Sequence, residues 1–180
     1  MTPLPDSSHL FARSLLQYLD ALYGFAWWLT HHREEIEDLV QETCLRALRS
    51  AHQFEPGTNL KAWLFSILEH EWLRRQRLAK REVQSDAYSA DPQSEGREWA
   101  VEIDVIRAAL RKDLDEGLRA LSEEYRSAVL LFDLYGFSLK ETAEILAVPD
   151  GTVKSRLSRG RQMLRDKLRA YGSGSSDAEM

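Results

Sequence analysis

Between positions 152 and 161 the chain places Thr152, Lys154, Ser155, Arg156, Ser158, Arg159 and Arg161. The chemistry open to this set is recognition rather than bond-making. A guanidinium fork matches the acceptors on a guanine edge or a phosphate, and a short hydroxyl allows a backbone or base to come close. Val153, Leu157 and Leu164 recur at helical spacing among these polar residues, which assigns them a buried stripe and leaves the polar set on the other side.

That helix needs an element to hold it. Ser138 to Leu146 reads as a shorter helix, with Ser138 as cap and Glu141 where a capping-box partner reaches back. Pro149 lacks an N–H and has a fixed φ, so it suits a helix start and not an interior. About four residues separate the two patterns, enough only for a tight turn. The pair reads as a helix-turn-helix whose second helix enters a DNA major groove. The same letters also describe an amphipathic surface helix with a solvated basic face. The capped first helix, the turn proline and the narrow gap favour the DNA reader.

The 180 residues allow one ordinary domain or two small ones. Apolar residues make up 43% and charged residues 29%, and no apolar run approaches the ~20 residues of a transmembrane helix. The start carries no basic segment followed by an apolar core, so no secretory signal is expected, and cytoplasmic localisation is the default. The single cysteine, Cys44, suits a small buried hydrophobe, and no spacing points to a metal or any other cofactor. His70-Glu71 lacks the second histidine of a zincin helix.

Net charge is −5, yet the charges are segregated. From Gly151 to Arg169 seven basic residues face one acid, Asp166, and Arg74, Arg75, Arg77, Lys80 and Arg81 form a second cluster. Two basic footprints on an acidic chain imply local docking on DNA within a larger assembly.

Upstream, the apolar steps predict one helix from about Ser8 to Thr30 through Phe11, Leu15, Leu19, Leu22, Ala26 and Leu29. Trp27 and Trp28 are adjacent and are expected on different faces. A second helix, Glu34 to about Ala51, has Ile36, Leu39, Val40, Cys44 and Leu48 as its apolar face and Asp38, Gln41, Glu42 and Arg46 around the other. The stretch Phe54 to Asn59 is a turn. A third helix buries Leu60, Trp63, Leu64, Ile67, Leu68 and Trp72 and ends in a basic run. From Ala79 to about Glu98 the period is lost, as in a linker. A second module begins near Trp99, with Val101, Val105, Leu110, Leu114, Leu118 and Leu121 as core, Ser122 as a helix cap, and Ala128 to Phe132 inside that helix. The tail from Gly172 is expected to be flexible. The expected fold is all-α, with two small helical modules (8–78 and 101–171) joined by a flexible linker (79–100).

In this order the chain resembles the extracytoplasmic-function group of the sigma-70 family. Asp38-Leu39-Val40-Gln41-Glu42 is similar to the family's polymerase-binding helix in region 2. Phe54 to Asn59 followed by Lys61-Ala62-Trp63-Leu64 resembles its −10-reading loop and helix. Ala120 to Leu131 resembles the start of region 4, and Ser138 to Leu164 its −35-reading helix-turn-helix.

The resemblance implies an alternative sigma factor that directs promoter-specific initiation and makes or breaks no bond itself. Its implied partners are core RNA polymerase, through the β′ coiled coil and the β flap, promoter DNA and an anti-sigma factor. Leu39 would be the apolar anchor, with Asp38, Val40, Gln41 and Glu42 around it. Thr58 and Asn59 would hold a base flipped from the −10 element, with Lys61, Trp63, His70, Arg74 and Arg75 along the adjoining helix. The 152–161 set would read the −35 element, with Lys154, Ser155, Arg156 and Arg159 facing the DNA. One departure is Glu69, which would repel a phosphate. The rival reading is a sigma mimic that sequesters an anti-sigma factor, but mimics lose the basic recognition face. An ordinary helix-turn-helix repressor would leave the first module without a purpose.

Overall fold

The computed structural model describes residues 7–30, 32–83 and 114–174, and every regular element among them is helical. The chain divides into two compact units, the main division falling between residues 94 and 95 and Glu144–Leu146 grouping with the first. Among the described residues the first holds four helices, α1 (Ser7–Leu16), α2 (Leu19–Thr30), α3 (Arg33–Arg49) and α4 (Leu60–Val83), with a short 3-10 turn at Ala51–Gln53. Downstream come α5 (114–119 as described), α6 (Glu123–Val129), α7 (Leu139–Leu146) and α8 (Asp150–Gly174).

The expected helix from Ser8 to Thr30 is two. Tyr18 N–H donates to Leu15 O at 2.9 Å, an i→i−3 bond that tightens the chain, and Leu22 N–H then starts a new ladder from Tyr18 O. The break buries Leu15 and Leu22 together and turns Leu16 out to 59% exposure. The apolar spacing runs on through Leu15, Leu19 and Leu22, so periodicity does not register it. Trp27 and Trp28 are both half-buried and meet edge to face at 4.6 Å, instead of dividing between core and solvent.

Phe25 and Phe65 stack at 5.2 Å in the first core, beside Leu22, Leu39, Val40, Leu64, Leu68 and Trp72. On α3 the buried stripe runs Ile36, Leu39, Val40, Thr43, Ala47, and Leu48 falls one position outside it and is exposed. Thr43 is tolerated there because its hydroxyl donates to Leu39 O at 2.8 Å. Helix α4 continues to Val83, past the expected boundary at residue 78. The rest of the expected linker and the pattern from Trp99 to Leu110 lie outside the described residues. Helix α8 likewise runs to Gly174, where a tail from Gly172 was expected.

In the second unit Leu118, Leu121, Ala128 to Leu131, Val153, Leu157 and Leu164 are buried, whereas Leu114 is exposed. Ser122 precedes α6 and lends it backbone acceptance, Ser122 O taking Tyr125 N–H and Arg126 N–H, without a side-chain cap. Helix α6 then widens into a π turn over Leu130–Leu134. Its last bond runs from Tyr135 N–H to Leu130 O at 2.9 Å, and Gly136 at φ +72° ends it. Helices α6 and α8 pack together at Gly160, which is buried. A Cβ there would stand 2.9 Å from Val129 Cγ2 and 3.4 Å from the Tyr125 carbonyl oxygen.

The capping box forms as expected: Ser138 N–H donates to Glu141 Oε2 at 2.8 Å, and Glu141 N–H to Ser138 Oγ at 3.2 Å. The turn into α8 is made by Ala147 at φ +51°, with Val148 N–H on Ala143 O at 3.0 Å. A left-handed alanine pays for its Cβ, so Ala147→Gly is expected to raise stability by about 0.5–1 kcal/mol. Chemical denaturation of the two proteins checks this.

Candidate functional site

Three surfaces carry the chemistry-bearing residues. On α3, Asp38, Gln41 and Glu42 are accessible and, with Leu45 and Arg75, line an open groove of about 290 Å³. Leu39 and Val40, expected among the docking residues, are 0% and 2% exposed and belong to the core. A helix repeats its face every three to four residues, so Asp38, Gln41, Glu42 and Leu45 share one side while Leu39 and Val40 point behind it. Leu45, 39% exposed, is the apolar group the groove offers.

The groove is anchored from beneath by Glu71. Its side chain is fully buried, with Arg46 Nη2 at 3.0 Å, Arg74 Nη2 at 2.5 Å and Arg75 Nε at 3.5 Å. Burial pushes the carboxyl up, but the Arg74 hydrogen bond, the Arg46 and Arg74 charges and the Arg75 bond outweigh it and hold it below its ordinary range. Arg75 also donates to Asp38 O at 3.2 Å, and Arg46 to Glu42 Oε1 at 2.9 Å. Arg75 therefore lines the α3 groove, although its place in the sequence suggested the −10 set. Nothing in the spacing of Glu71 announced this role.

The second surface is the 54–59 loop and the outer stripe of α4. Gly57 at φ +93° makes the turn, and Thr58 Oγ1 donates to Glu55 O at 2.7 Å. Asn59 Oδ1 accepts Ala62 N–H at 3.2 Å, so this side chain caps α4. Thr58 and Asn59 stay exposed. Trp63 is half-buried against Phe54 at 5.5 Å and Phe11 at 6.0 Å, an aromatic triad that props the entry of the loop. Lys61 lies over the Phe65 ring at 5.9 Å. His70, Arg74 and Arg77 are exposed at helical spacing on one face of α4. Arg74 is at the same time bonded to Glu71. Glu69 is 3% exposed, so it does not face a phosphate as its place in the sequence suggested.

The third surface is α8. Val153, Leu157, Gly160 and Leu164 are its buried stripe. Lys154, Ser155, Ser158, Arg159 and Gln162 are exposed, and Ser155 Oγ donates back to Thr152 O at 2.9 Å. Thr152 is half-buried at the edge. Arg156, expected to face DNA, is only 17% exposed in its side chain and reaches Glu124 Oε2 of α6 at 3.0 Å. Arg161 makes a two-pronged pair with Asp133, at 2.9 and 2.6 Å, and its guanidinium lies 5.3 Å from the Phe132 ring centroid. Both arginines lie beside the buried stripe, a placement the simple polar-versus-apolar division of the helix overlooks.

Among the described residues no group of three or more His, Cys, Asp or Glu is arranged to hold a metal, and no helix is long and apolar enough to cross a membrane. Residues 15–82 match the family Sigma-70 region 2, and residues 111–164 match Sigma-70, region 4. The chain is 36% identical over 178 residues to the ECF RNA polymerase sigma factor EcfG of Rhodopseudomonas palustris, covering 97% of this chain and 91% of that one. It is also 36% identical over 160 residues to the ECF RNA polymerase sigma factor SigE of Mycolicibacterium smegmatis, covering 87% of this chain and spanning 61% of that relative's length. A solved relative is the sigma factor RpoE of Bartonella quintana, crystallised in complex with the anti-sigma factor NepR. It is similar at a TM-score of 0.75 and 37% identity, over 88% of this chain and 96% of that one.

Proposed function

The chain belongs to the extracytoplasmic-function sigma factors of the sigma-70 family, and on that premise we propose how its two units divide the work of promoter-specific initiation. The α3 groove docks on core RNA polymerase, the 54–59 loop with the outer stripe of α4 takes the −10 element, and α8 reads the −35 element. The observation that carries this reading is the outward face of α8, where Ser155, Ser158 and Arg159 stand exposed on a capped helix-turn-helix. A protein that only sequestered an anti-sigma factor would have no use for that face.

Docking follows from charge and shape. Asp38 and Glu42 offer carboxylates to basic residues of the polymerase β′ coiled coil, Gln41 offers both a donor and an acceptor, and Leu45 supplies apolar area. Promoter opening exposes a −10 base, and extruding it costs a few kcal/mol that the loop offsets with backbone groups and the Thr58 and Asn59 side chains. An anti-sigma factor, of the kind bound by the Bartonella quintana relative, regulates the chain by covering these surfaces.

The docking assignment is tested by co-purification with core polymerase. Asp38→Lys combined with Gln41→Lys is expected to weaken core binding at least tenfold, a loss of about 1.4 kcal/mol, with an unchanged circular dichroism spectrum. Undiminished binding of the folded variant places the docking surface elsewhere.

A further inference from the structure

The two arginines that turn away from the outward face of α8 stand in a symmetrical relation to its core. At about 100° per residue, Arg156 lies roughly 70° to one side of the stripe formed by Val153, Leu157, Gly160 and Leu164, and Arg161 roughly 70° to the other. Each is tied to an acid outside α8: Arg156 to Glu124 in the first turn of α6, Arg161 to Asp133 in the π turn that follows it. Between them Gly160 brings the α8 backbone against Val129 and Tyr125. A helix resting on a glycine has a pivot without a side-chain key, and a cylinder on a pivot can roll.

We propose that the Glu124–Arg156 and Asp133–Arg161 pairs are a two-sided clamp that fixes the rotation of α8, and that Arg156 and Arg161 are positioning residues for promoter reading and not DNA contacts. The inference rests on α8 being the −35 reader. The π turn supports it independently: one extra residue in that turn re-aims the chain, and it delivers both the Phe132 ring and the Asp133 carboxylate to Arg161. The guanidinium is then held in direction by the two-pronged pair and in plane by the ring. With a side-chain radius of ~5 Å, a roll of ~20° carries Ser155, Ser158 and Arg159 by nearly 2 Å, more than a base-specific hydrogen bond tolerates. Phosphate contacts by long lysines and arginines absorb such a shift.

The clamp inverts an ordinary electrostatic expectation. Removing an acid beside a DNA-binding helix tightens binding by Coulomb's law, whereas removing Asp133 as half of a clamp loosens specific binding. The test uses holoenzyme assembled from core polymerase and the full chain, with a promoter duplex selected by the native protein and an unrelated duplex as control. Asp133→Asn and Arg161→Gln are each expected to weaken binding of the selected promoter about five- to tenfold while leaving the unrelated duplex unchanged, because only base readout depends on register. The salt slope of Arg161→Gln stays as in the native protein, since no phosphate contact, worth about 0.9 of slope, is lost. The exchanged pair, Asp133→Arg with Arg161→Asp, recovers most of the loss. Melting curves of each variant confirm that it is folded at the assay temperature.

Tighter binding by Asp133→Asn, together with a shallower salt slope and a uniform loss for Arg161→Gln, makes Arg161 a phosphate contact and overturns the clamp. A native holoenzyme that selects no promoter overturns the −35 role of α8 itself, a failure visible before any variant is made.

Discussion

Gly160→Ala is expected to lower the stability of the C-terminal unit by about 1–2 kcal/mol and to weaken promoter binding through the −35 element. Alanine gains about 1 kcal/mol of helix propensity over glycine, so the sign depends on what its Cβ meets. Here it meets Val129 Cγ2 at 2.9 Å and the Tyr125 carbonyl oxygen at 3.4 Å, both across the α6–α8 contact. Val129 is buried and β-branched, with little rotamer freedom to step aside, and a carbonyl oxygen moves only with its helix. Helix α8 must therefore retreat, and its outward face moves with it. Adding Val129→Ala removes the nearer obstacle, so the double variant is expected to bind the promoter better than Gly160→Ala alone. Denaturant unfolding combined with promoter binding checks both parts, and failure of the second substitution to restore any binding removes the steric account.

Replacing Glu71 is expected to have an effect of similar or larger size in the other unit. Glu71→Ala removes the buried carboxylate on which Arg46, Arg74 and Arg75 converge, and is expected to cost about 2–3 kcal/mol. The figure sits below that for a wholly buried pair because the arginine side chains are 44%, 51% and 30% exposed and can regain water. The sign of the pH dependence follows from the lowered pKa of Glu71. A carboxyl held below its unfolded value contributes stability that is fully present above that value and is lost as pH falls through the folded one. The N-terminal unit of the native protein is thus expected to lose stability steeply below about pH 4.5, and Glu71→Gln to flatten that loss. Unfolding monitored by tryptophan fluorescence across pH 3–7 reads this, four of the five tryptophans (Trp27, Trp28, Trp63 and Trp72) lying in that unit. Identical acid slopes for the two proteins show that Glu71 does not govern acid stability.

The parts of this molecule that were legible in its sequence are those where local pattern and tertiary need agree. The Ser138–Glu141 capping box, the Val153, Leu157 and Leu164 stripe and the turn at Pro149 are local, and each formed as its residues imply. What was missed depends on partners distant in the chain. Leu39 and Cys44 both lie on the apolar side of α3, yet only packing against other helices decides that Leu39 is sealed in and Cys44 only half-buried. Arg156 shares its polar character with Ser155, and only the position of Glu124, 32 residues earlier, reveals that it turns aside. The break at Gln17–Tyr18 and the π turn at Leu130–Leu134 change backbone hydrogen bonding without interrupting the apolar spacing, so neither leaves a mark on it.

Transcription from a randomised promoter library most directly tests the central claim that this chain confers promoter choice on core RNA polymerase. Core enzyme with the native protein is incubated with templates randomised at the −10 and −35 elements, and the transcripts are sequenced. The expected result is enrichment at both elements, with the −35 preference altered by Ser158→Ala or Arg159→Ala and the −10 preference altered by Asn59→Ala. Transcripts no different from those of core enzyme alone, from a protein that still binds an anti-sigma factor, would contradict promoter reading and leave sequestration as its function.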